Sequence, residues 1–223
     1  MTKDVIPDVG FSDNTNQRTP CVLVLDVSGS MAGMPIEQLN AGLKTLEAQL
    51  KANPMTALRV QLLVILVGGN DEAKVEHEWC DAIDFETPVL EANGTTPLGK
   101  GMALALRRVD DQKRAYDANG VSSTRPWILL ISDGEPTDLD WEQVAEQCLT
   151  AEANKKVTIY PIGTDSANFD ALNRFSKNGA KKLEGLNFNE LFVWLSRSMT
   201  AVSSSAPGQK VQLPTANWSQ ADT

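Results

Sequence analysis

Short aliphatic segments alternate along this chain with segments of helical periodicity, and that alternation most limits the folds open to it. CVLVLDV (residues 21–27) and LRVQLLVILVGG (from Leu58) are runs of leucine and β-branched residues, the pattern of strands buried on both faces. RPWILLIS and VTIYPIG read as two further strands, and AKKLEG as a short one. Between them IEQLNAGLKTLEAQLK sets Ile36, Leu39, Leu43, Leu46 and Leu50 at helical spacing, with Pro35 suited to the first turn. LGKGMALALRRVDDQKRAYDANG reads as a long helix stopped at Asn119 and Gly120, and DWEQVAEQCLTAEANKK as a helix with Asp140 as its cap. ANFDALNRFSKNG is expected to be helical up to Gly179, and NFNELFVWLSRSMTAV is a final amphipathic helix. VEHEWCDAI, around residues 75–83, is a more polar strand suited to a sheet edge. The short linker before it, with Gly68, Gly69, Asn70 and Asp71, fits an antiparallel hairpin better than a crossover. The expected fold is α/β: a Rossmann-like, doubly wound, mainly parallel six-stranded sheet with one antiparallel edge strand and helices on both faces.

A chain of 223 residues is long enough for one large domain and short for two. Residues 1–19 read as an N-terminal arm, 20–202 as the domain, and 203–223, rich in Ser, Pro, Gln and Asn, as a disordered tail. A formal net charge of -9 argues against nucleic acid as a partner, since phosphate binding needs a basic footprint. Cys21, Cys80 and Cys148 are odd in number and lack metal-ligand spacing, which suits buried thiols in a reducing compartment. The start of the chain has no basic-then-apolar leader, and no apolar run approaches the ~20 residues of a membrane helix. A cytoplasmic location away from the membrane is expected.

Ligands of such sheets bind beyond the C-terminal ends of the strands, near the point where strand order reverses. Three segments bring polar residues there: Asp26-Val27-Ser28-Gly29-Ser30, Gly94-Thr95-Thr96-Pro97 and Ile131-Ser132-Asp133-Gly134-Glu135. Together they offer two carboxylates, the hydroxyls of Ser28 and Ser30, and one threonine hydroxyl, either Thr95 or Thr96. Hard oxygen donors with few charges suit Mg²⁺, with Mn²⁺ or Ca²⁺ as substitutes. Zinc fits poorly: no cysteine is near these segments, and the one histidine, His77, lies on the edge strand as a surface residue.

DVSGS, a GTTPLG loop and SDGEPTD, in that order, resemble the metal-ion-dependent adhesion site of von Willebrand factor type A domains. The run also resembles the small bacterial A domains of tellurite-resistance operons, the TerY-like family. The resemblance implies Asp26, Ser28, Ser30, Thr96 and Asp133 as metal-binding residues. Thr95 stands where related loops often carry a second glycine, so the register of the two threonines stays open. It further implies a module that is not an enzyme and that grips an acidic residue of a partner protein through the cation. Expected partners are a PP2C-like phosphatase or a kinase-like protein, in a stress response linked to phosphorylation.

Two other functions compete. A Mg²⁺-dependent phosphatase or phosphotransferase of the haloacid-dehalogenase type would carry a second carboxylate where Ser28 stands, and no Walker A loop or nucleophile elbow occurs. A structural subunit would use its metal only to brace the loops. Glu135 and Asp138, near the metal edge, either tune partner choice or are simply solvated acids, and Trp127 and Trp194 read as core. Met31 and Met34 either rim the site or pack beneath it, and Trp218 is a tail residue able to anchor a partner.

Overall fold

The structure, a computed structural model, describes residues 14–206 and 209–219. Six strands form one sheet: β1 (Thr19–Asp26), β2 (Val60–Gly68), β3 (Glu72–Asp81), β4 (Trp127–Ser132), β5 (Thr158–Gly163) and β6 (Lys181–Lys182). Their order is β3-β2-β1-β4-β5-β6, parallel throughout except for the antiparallel pairing of β2 with β3. This is the mixed α/β sheet anticipated, with the hairpin strand at the edge.

Every residue of β1, β2 and β4 is buried, because helices cover both faces. Successive strand side chains point to opposite faces, and the core divides accordingly. Cys21, Leu23 and Leu25 face α1 (Met34–Lys51) and α6 (Phe188–Ser203), meeting Leu39, Leu43, Leu191 and Leu195. Val22 and Val24 face α3 (Leu98–Ala118) and α4 (Trp141–Ala153), meeting Met102, Ala105, Ala145 and Cys148. All three cysteines are free thiols, and burial pushes the Cys21 thiol up to about 12.

Several local expectations are corrected. The second strand starts at Val60 rather than Leu58, because a short helix α2 (Pro54–Arg59) precedes it. Asn53 caps that helix by accepting from the N–H groups of Met55 and Thr56, and Pro54 suits its first turn. The helix expected up to Gly179 shrinks to α5 (Phe169–Leu172) and one 3-10 turn (Asn173–Phe175). Asn173 there turns its side chain to the N–H of Ala180, which competes with helical bonding. Asp140 occupies the cap position of α4 without a side-chain capping bond.

The tail is also corrected where it is described. Trp218 is 2% exposed and meets Trp194 edge-on at 5.4 Å, while Trp194 Nε1 donates to Pro214 O at 3.0 Å. Leu213 and Ala216 pack on the same core, and Ser219 bridges to Leu183. A polar composition signals disorder only on average; one buried tryptophan outweighs it, because full burial of such a ring contributes several kcal/mol, about 3 to 5 by the cost of truncating it. Trp218 is therefore part of the core. Of the N-terminal arm, residues 1–13 lie outside the described residues. Within the rest, Arg18 is fully buried, its guanidinium 3.5 Å from Asp81 and bonded to the carbonyls of Asn14, Asn16 and Leu58. Thr19 already belongs to β1.

Candidate metal centre

β1 is flanked by β2 and β4; the chain runs from β1 to β2 on one side and then crosses from β3 to β4 on the other, so the switch point lies at the C-terminal ends of β1 and β4. Asp26 is the last residue of β1 and Asp133 directly follows β4, so the two carboxylates arrive together. Asp26 is fully buried, and its Oδ1 accepts the Ser28 N–H at 2.9 Å. Its Oδ2 accepts the hydroxyl of Ser132, which in turn accepts the N–H of Gly134 at 3.1 Å. Ser30 Oγ lies 3.0 Å from Ser28 Oγ and donates to Asp133 Oδ1 at 2.8 Å. Four of the five expected residues are thus joined in one chain of contacts through Ser28, Ser30 and the two acids.

Thr96 completes the group. It is buried, and its hydroxyl makes no hydrogen bond among the described residues. A Cβ placed on Gly134 would lie 3.1 Å from Thr96 Oγ1 and 3.8 Å from Asp26 Oδ2, so the missing side chain keeps a cleft open between these oxygens. Thr95 is exposed and turns its hydroxyl to Asp71 Oδ1 at 3.2 Å. The open register of the two threonines therefore resolves in favour of Thr96 as the residue beside the aspartates.

The backbone holds these loops together. Gly29 N–H donates to Gly94 O at 3.0 Å, and Gly69 N–H to Asn93 O at 2.9 Å. Gly94 has φ of +78°, and a Cβ there would lie 1.7 Å from Gly69 O, so only glycine fits. Thr137 and Asp138, whose role the sequence did not disclose, tie the third segment to the second. Asp138 is a buried acid rather than a solvated one: it accepts the N–H groups of Gly99 at 3.2 Å and Lys100 at 2.8 Å, at the start of α3. Its place after Pro136 and Thr137 gave no sign that it would cap a helix 39 residues away.

Two carboxylates, Asp26 and Asp133, stand at this centre. Burial raises the Asp26 carboxyl above its usual value, hydrogen bonds from Ser132 and Ser28 oppose that shift, and the charge of Asp133 adds to it. A buried carboxylate whose ionisation is opposed by burial and by a neighbouring negative charge would be relieved by a positive ion. Met31 is fully buried beneath the loop, whereas Met34 is 66% exposed and Leu139 97% exposed, which separates the packing methionine from the surface one. His77 is half-buried on β3, its ring 5.1 Å from that of Phe85 and away from these oxygens.

The family profile of the von Willebrand factor type A domain matches residues 21–191. The chain belongs to that family. It is 27% identical over 161 residues to human inter-alpha-trypsin inhibitor heavy chain H6. That match takes in 70% of this chain but 12% of the human protein. Among solved structures, the fold is similar to the ArnB paralog VWA2 of Sulfolobus acidocaldarius, with TM-score 0.54, 16% identity, and coverage of 82% of this chain and 46% of that one. The pilus adhesin SpaC of Lactobacillus rhamnosus GG superposes with TM-score 0.65 at 11% identity, over 84% of this chain and 32% of that one. BatB of Bacteroides thetaiotaomicron does so with TM-score 0.56 at 16% identity, over 84% of this A domain and 100% of its own chain. At these identities the structural likeness speaks for the fold. Among the described residues no helix is long and apolar enough to cross a membrane.

Proposed function

We propose that this A domain is a metal-dependent protein–protein interaction module, binding rather than catalysing. Members of the family commonly mediate protein–protein contacts. Asp26, Ser28, Ser30, Thr96 and Asp133 would hold Mg²⁺, with Mn²⁺ or Ca²⁺ as substitutes. The observation that carries this reading is the cleft beside Gly134, where the unpartnered Thr96 hydroxyl and a buried Asp26 oxygen converge. The donor set is all oxygen, and hydroxyls outnumber carboxylates, which suits a hard cation. A cation so weakly neutralised retains charge with which to attract a partner's Asp or Glu. Around it, exposed Met34 and Leu139 offer apolar contact to the residues flanking that carboxylate.

The resemblance to TerY-like domains supports a finer reading: a cytoplasmic scaffold or regulator in a tellurite-resistance or related stress response. Its partners there would be a PP2C-like phosphatase or a kinase-like protein. A bracing role for the metal is less well supported, because Gly94, Thr137 and Asp138 already tie the three loops through protein hydrogen bonds. The phosphotransferase alternative is disfavoured by Ser28, which stands where enzymes of that class carry the carboxylate that acts as general acid.

The test is affinity capture from native lysate using wild type and the double variant Asp26→Ala, Ser28→Ala, each with Mg²⁺ and with EDTA. A partner retained only by wild type with Mg²⁺, the variant remaining folded, supports the proposal. The same partners in all four conditions would refute metal-dependent recognition. Release of phosphate from generic phosphoesters, abolished by Asp26→Asn, would instead establish catalysis.

A further inference from the structure

A pocket of about 590 Å³ opens at the other end of the sheet, between the starts of β4 and β5 and the chain that follows α6. Arg125, Lys155 and Lys210 line it, and among the described residues no Asp or Glu does. Some surface cations of this acidic chain pair with carboxylates, as in Lys51 with Glu47, Lys100 with Asp71 and Arg174 with Glu142, while others, such as Lys44 and Arg107, make no ion pair among the described residues. The three that line the pocket make no ion pair and no side-chain hydrogen bond among the described residues. Neutral donors accompany them. The Thr124 hydroxyl is buried without a hydrogen-bond partner, and the Tyr160 hydroxyl has none among the described residues.

The local charge balance favours an anion. Glu152, whose charge reaches Tyr160, is buried and does not line the pocket. Its oxygens are already taken by the N–H groups of Ile159 and Lys177 and the hydroxyl of Ser176. The pocket also lies near the C-terminal ends of α4 and α6, each contributing about half a negative charge at most. Three full positive charges exceed that. A monocarboxylate would leave most of these donors unused, whereas a phosphoryl group offers several oxygens and close to two charges. Trp127 and Leu213 supply an apolar wall for the body of a ligand.

We propose that this pocket binds a phosphoryl-bearing ligand, held by Arg125, Lys155 and Lys210 at the end of the domain remote from the metal centre. Arginine grips phosphate oxygens in a planar fork, and the lysines add point charges that reach in from the rim.

The experiment is isothermal titration of the intact chain with pyrophosphate, and separately with a phosphothreonine peptide, at low ionic strength in EDTA so that no divalent cation mediates binding. Saturable binding at one site is expected, weakened about tenfold by Arg125→Gln and by Lys155→Gln, each loss being that of one charge-assisted contact. Lys44→Gln, the same charge change at an exposed position on α1, should leave the affinity unchanged. Lys155 is itself exposed, so its variant serves if Arg125→Gln fails to fold. A peptide that binds at least as tightly as pyrophosphate, with the same sensitivity, identifies a modified protein as the source; pyrophosphate binding alone identifies a small phosphorylated molecule. Absence of saturable binding to wild type by both probes, or equal weakening by Lys44→Gln, overturns the proposal.

Discussion

Thr96 and Thr137 clasp each other from both sides: Thr96 N–H donates to Thr137 Oγ1 at 3.1 Å, and Thr137 N–H donates to Thr96 O at 3.0 Å. The clasp fixes the backbone of the threonine whose hydroxyl faces Asp26 across the Gly134 cleft. Thr137→Val keeps the shape and the backbone bond but removes the hydroxyl acceptor. On the proposed function it weakens Mg²⁺ binding about fivefold to tenfold, from the loss of one part-buried hydrogen bond. Calorimetric titration with Mg²⁺ checks this, and Thr137→Ser should restore wild-type affinity. An unaltered affinity in Thr137→Val would mean that Thr96 is positioned by other contacts.

Gly94→Ala tests the stitching of the loops. The added methyl meets Gly69 O at an impossible distance and sits on a backbone with φ of +78°. Strain of both kinds implies destabilisation of about 3 kcal/mol or more. Urea denaturation followed by circular dichroism reads it. A loss below about 1 kcal/mol would show that the loops part without cost.

Asp138→Ala removes the acceptor for two N–H groups at the start of α3. Loss of a helix cap of this kind costs about 1 to 2 kcal/mol. Asp138→Asn, which keeps an acceptor oxygen, should lose less, and thermal unfolding of the pair separates the two. Equal losses would point to charge rather than hydrogen bonding as the stabilising element.

Trp218→Ala tests the packed tail. The ring is buried against Trp194, so its truncation should cost about 3 to 5 kcal/mol. The variant should also become sensitive to limited proteolysis beyond Ser203, while the Mg²⁺ affinity of any folded fraction stays as in wild type. Wild-type stability in this variant would return the tail to the disorder its composition suggested.

Much of the fold was legible in the sequence because period and hydrophobicity are local. Fully apolar runs such as Leu62 to Val67 cannot be solvated on either face, and the spacing of Leu39, Leu43, Leu46 and Leu50 gives a helix with one apolar face to bury. Asp26, Ser28, Ser30 and Asp133 were visible for the same reason, since residues directly following buried strands of a parallel sheet must emerge at one edge. What the sequence left open was decided by contacts between distant segments. The two threonines are equivalent in the chain, and only the clasp with Thr137 buries one and frees the other toward Asp71. Asp138 looked like a solvated acid until α3 brought two N–H groups to it. Trp218 lies in a polar stretch and is core because α6 presents Trp194 and Pro214 lies across it. Periodicity reports which face of an element is apolar; which residues of two remote loops meet depends on chain closure, and that is settled by tertiary packing alone.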